Sequence, residues 1–200
     1  MPVPHRILLE YAFFITFLKA FMTPQTILDF WFSDAAQPFW FEQSDAFDQS
    51  IRTQFAEIWR QAAQSELDVW RDTLEGRLAE IIVLDQFSRN LFRNSPQAFA
   101  QDNMAVALAQ EALRQSGFEH LPEIQRKFML MPLMHSESRA IHGQALPLFQ
   151  RYTDPVTVDF EIRHKAIIDR FGRYPHRNAV LGRASTPEET EFLKQPGSAF

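Results

Sequence analysis

Between Ser44 and Ala63 the apolar residues Phe47, Ile51, Phe55, Ile58, Trp59 and Ala62 return every three or four positions, and no stretch of the chain alternates apolar and polar residues as a half-buried strand does. That period predicts an amphipathic helix behind a Ser44 cap, and it recurs. "DTLEGRLAEIIVLDQF" places Leu74, Leu78, Ile81 and Ile82 on one face, with Asp72 and Glu75 at capping-box spacing. "SPQAFAQDNMAVALAQEALRQSG" has Ser95 as cap, Pro96 in the first turn and Gly117 after the last, which predicts one helix of about five turns.

"LPEIQRKFMLM" and "ESRAIHGQALPLFQRY" read as two helices parted near Pro132, with Pro147 kinking or shortening the second. "TVDFEIRHKAIIDRF" ends at Gly172 and Pro175, and "TPEETEFLK" carries a Thr186 cap closed by Glu189. The expected fold is all-α, a single domain over residues 22–200 with about seven helices joined by short loops.

Residues 1–21 stand apart. "ILLEYAFFITFLKAF" is apolar, but Glu10 and Lys19 interrupt it and it is shorter than the roughly 20 residues a membrane span needs. Glu10 and the lack of a small-x-small cleavage site also speak against a secretory signal, and scarce basic residues speak against a membrane-surface anchor. Met22 precedes a Thr23 cap and Pro24 at the first helical position, so the expectation is a natural start at Met22 and an upstream extension before it.

The chain has no cysteine, which removes thiolate nucleophiles, disulfides and Cys-ligated metals and fits a reducing compartment, here expected to be the cytoplasm. Its net charge of −5 argues against nucleic acid as a partner. Within that acidic chain, residues 161–183 hold Arg163, Lys165, Arg170, Arg173, Arg177 and Arg183 against Glu161 and Asp169, a local balance of +4. The twenty Phe residues predict aromatic-rich packing between helices.

Polar groups gather in two similar strings. "DQFSRNLFRN" (85–94) and "DRFGRYPHRN" (169–178) share Asp, Phe, Arg, Arg and Asn at the same offsets. Read as helix-end turns feeding one surface, they bring Asp85, Arg89, Asn90, Arg173, His176, Arg177, Asn178 and, just beyond, Arg183 toward an anionic ligand. Guanidinium groups offer forked donors to carboxylate or phosphate. The alternative is that these arginines tie helix ends together through carbonyls and carboxylates.

His135, Glu137 and His164 supply the acid–base groups, Glu137 orienting one of the imidazoles. A metal held by His135, Glu137, His164 and His176 lacks any compact ligand spacing, so none is expected. No Gly-x-Gly-x-x-Gly or P-loop string names a nucleotide cofactor, and no nucleophile elbow supports Ser88 or Ser136.

The ordered strings "LDQFSRNLFR", "MPLMHSES" and "HKAIIDRFGRYPHRNAVLGR", with "PFWF", "AFAQD" and "STPEETEFL", resemble the bacterial family called domain of unknown function 924, from about Thr23 to the C-terminus. The resemblance implies a tetratricopeptide-like helical array with a concave binding surface, and no activity. Residues before Met22 depart from that family's usual start. Two functions are therefore in view: a small-molecule site, with or without catalysis, for an anionic ligand, and an interaction module gripping an acidic peptide or partner protein.

Overall fold

A computed structural model describes residues 22–199; the readings made for residues 1–21 lie outside the described residues. The α-helices are α1 (Pro24–Trp31), α2 (Asp45–Ala63), α3 (Leu74–Ile82), α4 (Ser88–Leu91), α5 (Asp102–Ala112), α6 (Glu123–His135), α7 (Arg139–Tyr152), α8 (Pro155–Phe171) and α9 (Pro187–Phe192). The fold is all-α, with no strand among the described residues. No described helix is long and apolar enough to cross a membrane.

Local signals set many of the ends. Thr23, Ser44 and Thr186 accept the first free N–H groups of α1, α2 and α9, and the boxes at Thr23 and Thr186 are closed by Thr26 and Glu189. Asp154 caps α8, and Gly172 ends it in the left-handed region at φ 72°, its N–H bonded to Ile168 O at 2.8 Å.

Four local expectations differ from what is seen. Thr73, not Asp72, caps α3. Ser95 caps only a short 3-10 turn, Pro96–Phe99, before α5 begins at Asp102. The break expected at Pro132 comes later, since α6 runs through to His135 and Ser138 caps the next helix; α7 likewise continues past Pro147. Pro132 is buried among Met131, Leu133 and Met134, and this packing outweighs the hydrogen bond the ring removes. Finally, "DQFSRNLFRN" does not begin at a helix end. Helical backbone continues from α3 through a π-turn, Val83–Phe87, into α4, and the wider turn places Asp85 and Gln86 inside the protein.

The core is aromatic as expected. Trp31 meets Phe87 and Phe128 edge-on at 5.7 and 5.5 Å, and Phe55 stacks on Phe87 at 5.1 Å. Those rings anchor α1, α2 and α6 around the α3–α4 rod. Glu80, fully buried on that rod, is held by both forks of Arg71 at 2.7 and 2.6 Å.

Close approach governs one glycine. A Cβ at Gly76 would run into the Trp70 carbonyl, whose carbon lies 2.8 Å away. Alanine normally favours a helix by about 1 kcal/mol over glycine. Here the clash outweighs that gain, and Gly76→Ala should destabilise the protein by about 1–3 kcal/mol, read as a lower urea midpoint at unchanged m-value.

Candidate functional site

The π-turn determines the site, because it points a carboxylate inward. Asp85, 1% exposed, faces the last residue of α6: His135 Nδ1 lies 2.8 Å from Oδ1 and 3.0 Å from Oδ2. Gln86 donates to Asp85 Oδ2 at 2.5 Å, and Arg89 Nη1 lies 3.0 Å from Oδ1. Burial alone would raise the Asp85 carboxyl, but Arg89, His135 and these hydrogen bonds hold it well below the usual carboxylate range. Burial, then the charge of Arg89, push His135 below its ordinary value against the pull of Asp85. The pair is therefore a carboxylate beside a neutral imidazole whose proton sits on Nδ1. Nε2 makes no hydrogen bond among the described residues and is the nitrogen left for the cleft that His135 lines.

Two arginines converge from distant parts of the sequence. Asp102, at the start of α5, accepts both forks of Arg89 at 3.1 and 3.2 Å and Nη1 of Arg177 at 3.0 Å. Arg177 also donates to the His135 carbonyl at 3.1 Å, and its guanidinium lies between the rings of Phe99 and Tyr174, 4.4 and 4.6 Å from their centroids. Its Nε is buried with no partner among the described residues. Its plane is clamped, so only its edges remain to meet a ligand.

The cleft holds about 200 Å³, lined on its apolar side by Pro96, Phe99, Ala100 and Leu181 and on its polar side by Asp102, Asn103, His135, Ser136, Glu137 and Arg177. Glu137 does not orient a histidine. It takes Arg183 through two hydrogen bonds of 2.6 and 2.9 Å and caps the Tyr174 N–H at 2.7 Å, and the net effect holds its carboxyl below the ordinary range despite burial.

A second buried layer fixes the end of α6. Tyr174 gives its one O–H proton to Met134 O at 2.5 Å, so at its 3.2 Å contact with His142 Nε2 the imidazole is the donor. The same Nε2 lies 2.9 Å from Ser136 O, and Nδ1 lies 2.8 Å from Glu161 Oε1. Burial pushes Glu161 up, and its Oε2 has no partner among the described residues. His142 and Tyr174 together hold the carbonyls on either side of His135.

Other residues singled out in the sequence lie elsewhere. Arg173 grips Glu189 at 2.6 and 2.8 Å, and Asn178 reaches Ser185 and Glu189, so both brace α9. Asn90 joins Arg93 on Asp48 of α2. His164 stands in the wall beside the site, its ring 6.4 Å from that of His135, with Nδ1 on Phe160 O at 2.7 Å. His176 packs 5.5 Å from the Tyr174 ring. Asp102, Phe99, Tyr174 and His142 were not picked out from the sequence, and Glu161 entered only as a counter-charge in the local balance. "QDN" reads as an ordinary acidic helix start, and only the excess of arginines over nearby carboxylates hinted that a distant acid was needed. Among the described residues, no three His, Asp or Glu side chains gather so as to hold a metal ion.

These features define an all-α protein with a buried carboxylate–histidine pair and a clamped arginine at one small cleft. The family model described as "Bacterial protein of unknown function (DUF924)" matches residues 27–197, and the chain belongs to that family. A solved structure of a protein of unknown function from Agrobacterium tumefaciens is similar to it, with 36% identity and a TM-score of 0.81 over 86% of this chain and 96% of that one. No curated protein matches the chain.

Proposed function

We propose that the cleft at His135 is an acid–base active site for a small ligand carrying an anionic group. The observation that supports it is the Asp85–His135 pair. A buried carboxylate fixes the tautomer, and Nε2 of the neutral imidazole, without a hydrogen bond among the described residues, is a general base beside an arginine edge. Asp85 orients, Arg89 and Asp102 hold the charges in place, and Arg177 meets the anion. The absence of cysteine keeps the cytoplasm as the proposed compartment.

The test is a thermal-shift screen of the purified chain against small carboxylates, phosphate esters and nucleotides, with His135→Gln alongside. A ligand at about 100 times its Kd stabilises the native state by about 2.7 kcal/mol, a rise of about 5–10 °C for a chain of this size. The rise should vanish in a folded His135→Gln protein. A variant that keeps the full rise removes His135 from the site.

A second reading, the interaction module, draws on packing. Helices α5, α6, α7 and α8 each lie against the next in chain order, as tetratricopeptide-like arrays do, and α8 leaves Val156, Phe160 and Ile162 exposed. An acidic peptide bound as tightly by His135→Gln as by the wild type would favour it.

A further inference from the structure

The charges around the cleft balance. Arg89, Arg177 and Arg183 face Asp85, Asp102 and Glu137, each carboxylate engaged by at least one guanidinium. The remaining groups packed about His135 are Gln86 from the π-turn, His164 from α8 and Tyr174 from the turn that follows it, with His142 behind. Burial holds His164 near 3 and keeps Tyr174 protonated, so neither carries charge at neutral pH, and His142 lies against Glu161 with Nδ1 2.8 Å from Oε1. With His135 neutral, the site has no net positive charge to offer an anion.

Size and donor geometry narrow the ligand further. About 200 Å³ lies below the roughly 300–1,000 Å³ of pockets for drug-sized ligands. Arg177 commits one N–H of Nη1 to Asp102 and one of Nη2 to His135 O, which leaves a second N–H on each nitrogen for a forked acceptor.

Resting on the reading above, we infer that the ligand is a small monocarboxylic acid taken up together with one proton, which His135 Nε2 receives, and that dianionic phosphates are excluded. A carboxylate brings one negative charge and the proton brings one positive, so the balance around the cleft is kept. A phosphate dianion would leave an excess charge beside Asp102 and Glu137, in surroundings that screen it poorly. Binding and protonation are then linked: the carboxylate raises the His135 pKa, and protonation of His135 strengthens carboxylate binding by the same factor.

The experiment follows the His135 imidazole of the full chain by NMR across a pH series, with acetate, lactate and pyruvate as probes and inorganic phosphate and methyl phosphate as comparisons. The carboxylates should raise the His135 pKa, and their affinity should fall about tenfold per pH unit between the free and liganded values. In a folded His135→Gln protein that slope should disappear. Carboxylate binding with no pH slope in the wild type overturns the coupled uptake. A phosphate that shifts His135 as strongly overturns the substrate class while leaving a ligand site at His135. A His135 signal that no probe moves overturns both this inference and the reading beneath it.

Discussion

Asp102→Ala should destabilise the protein by about 3–5 kcal/mol, more than any single change at an exposed ion pair. Among the described residues, Asp102 is the one carboxylate engaged by both Arg89 and Arg177, and Arg177 is 6% exposed. Removing it leaves Arg177, stacked against Phe99 and Tyr174, without its counter-charge. At about 2–4 °C per kcal/mol for a chain of this size, Tm should fall by roughly 10 °C or more. The cause can be separated from lost packing, because Asp102→Asn, which keeps the side-chain shape and removes the charge, should cost nearly as much as Asp102→Ala. Asp159→Ala, at a solvent-exposed pair with Arg163, should hardly move the midpoint. A loss at Asp102 no larger than at Asp159 would mean that the cluster is not held together by this carboxylate.

That contrast bears on what could be read before the structure. Features closed within a few residues were legible: the Thr23, Ser44 and Thr186 caps, the Gly172 stop and the apolar face of α2. Pro132 misled because buried packing of α6 overrode a local preference. The paired strings misled in a different way. Arg89 of the first and Arg177 of the second meet on Asp102, yet they stand at different offsets, and their counterparts Arg173 and Arg93 go to Glu189 and Asp48. A π-turn in one string and a Gly–Pro turn in the other send equal letters in unequal directions. His135 and Asp85 were each singled out, but their pairing joins residues 50 apart, and the spacing of letters carries no distance at that range.

Acid should weaken this protein well before its carboxylates titrate. His164 and His176 are held by burial at about 3 and about 4, against an ordinary value of 6.5. Between those limits the unfolded chain binds protons that the folded chain refuses. Their contribution is therefore complete above about pH 6.5 and falls as pH drops, by up to about 1.4 kcal/mol per pH unit for each histidine. Lower down, Asp85, Glu137 and Glu189, the last near 2 through its bonds with Arg173, add a second loss. Stability from such depressed carboxylates is present above their ordinary values and lost as pH falls through the folded ones. Glu161 acts in the opposite sense: its raised pKa favours the folded state at low pH and ceases to help as pH rises through it. Three such histidines, His135 included, set against one such carboxyl leave a net decline, so the urea midpoint should drop steadily from pH 7 to pH 5. His164→Gln should flatten that slope by about a third. A midpoint constant across the interval would mean that His164 and His176 take protons freely in the folded state. The wall beside His135 would then be charged below about pH 6.5, and the charge balance that selects a monocarboxylate would fail in acid.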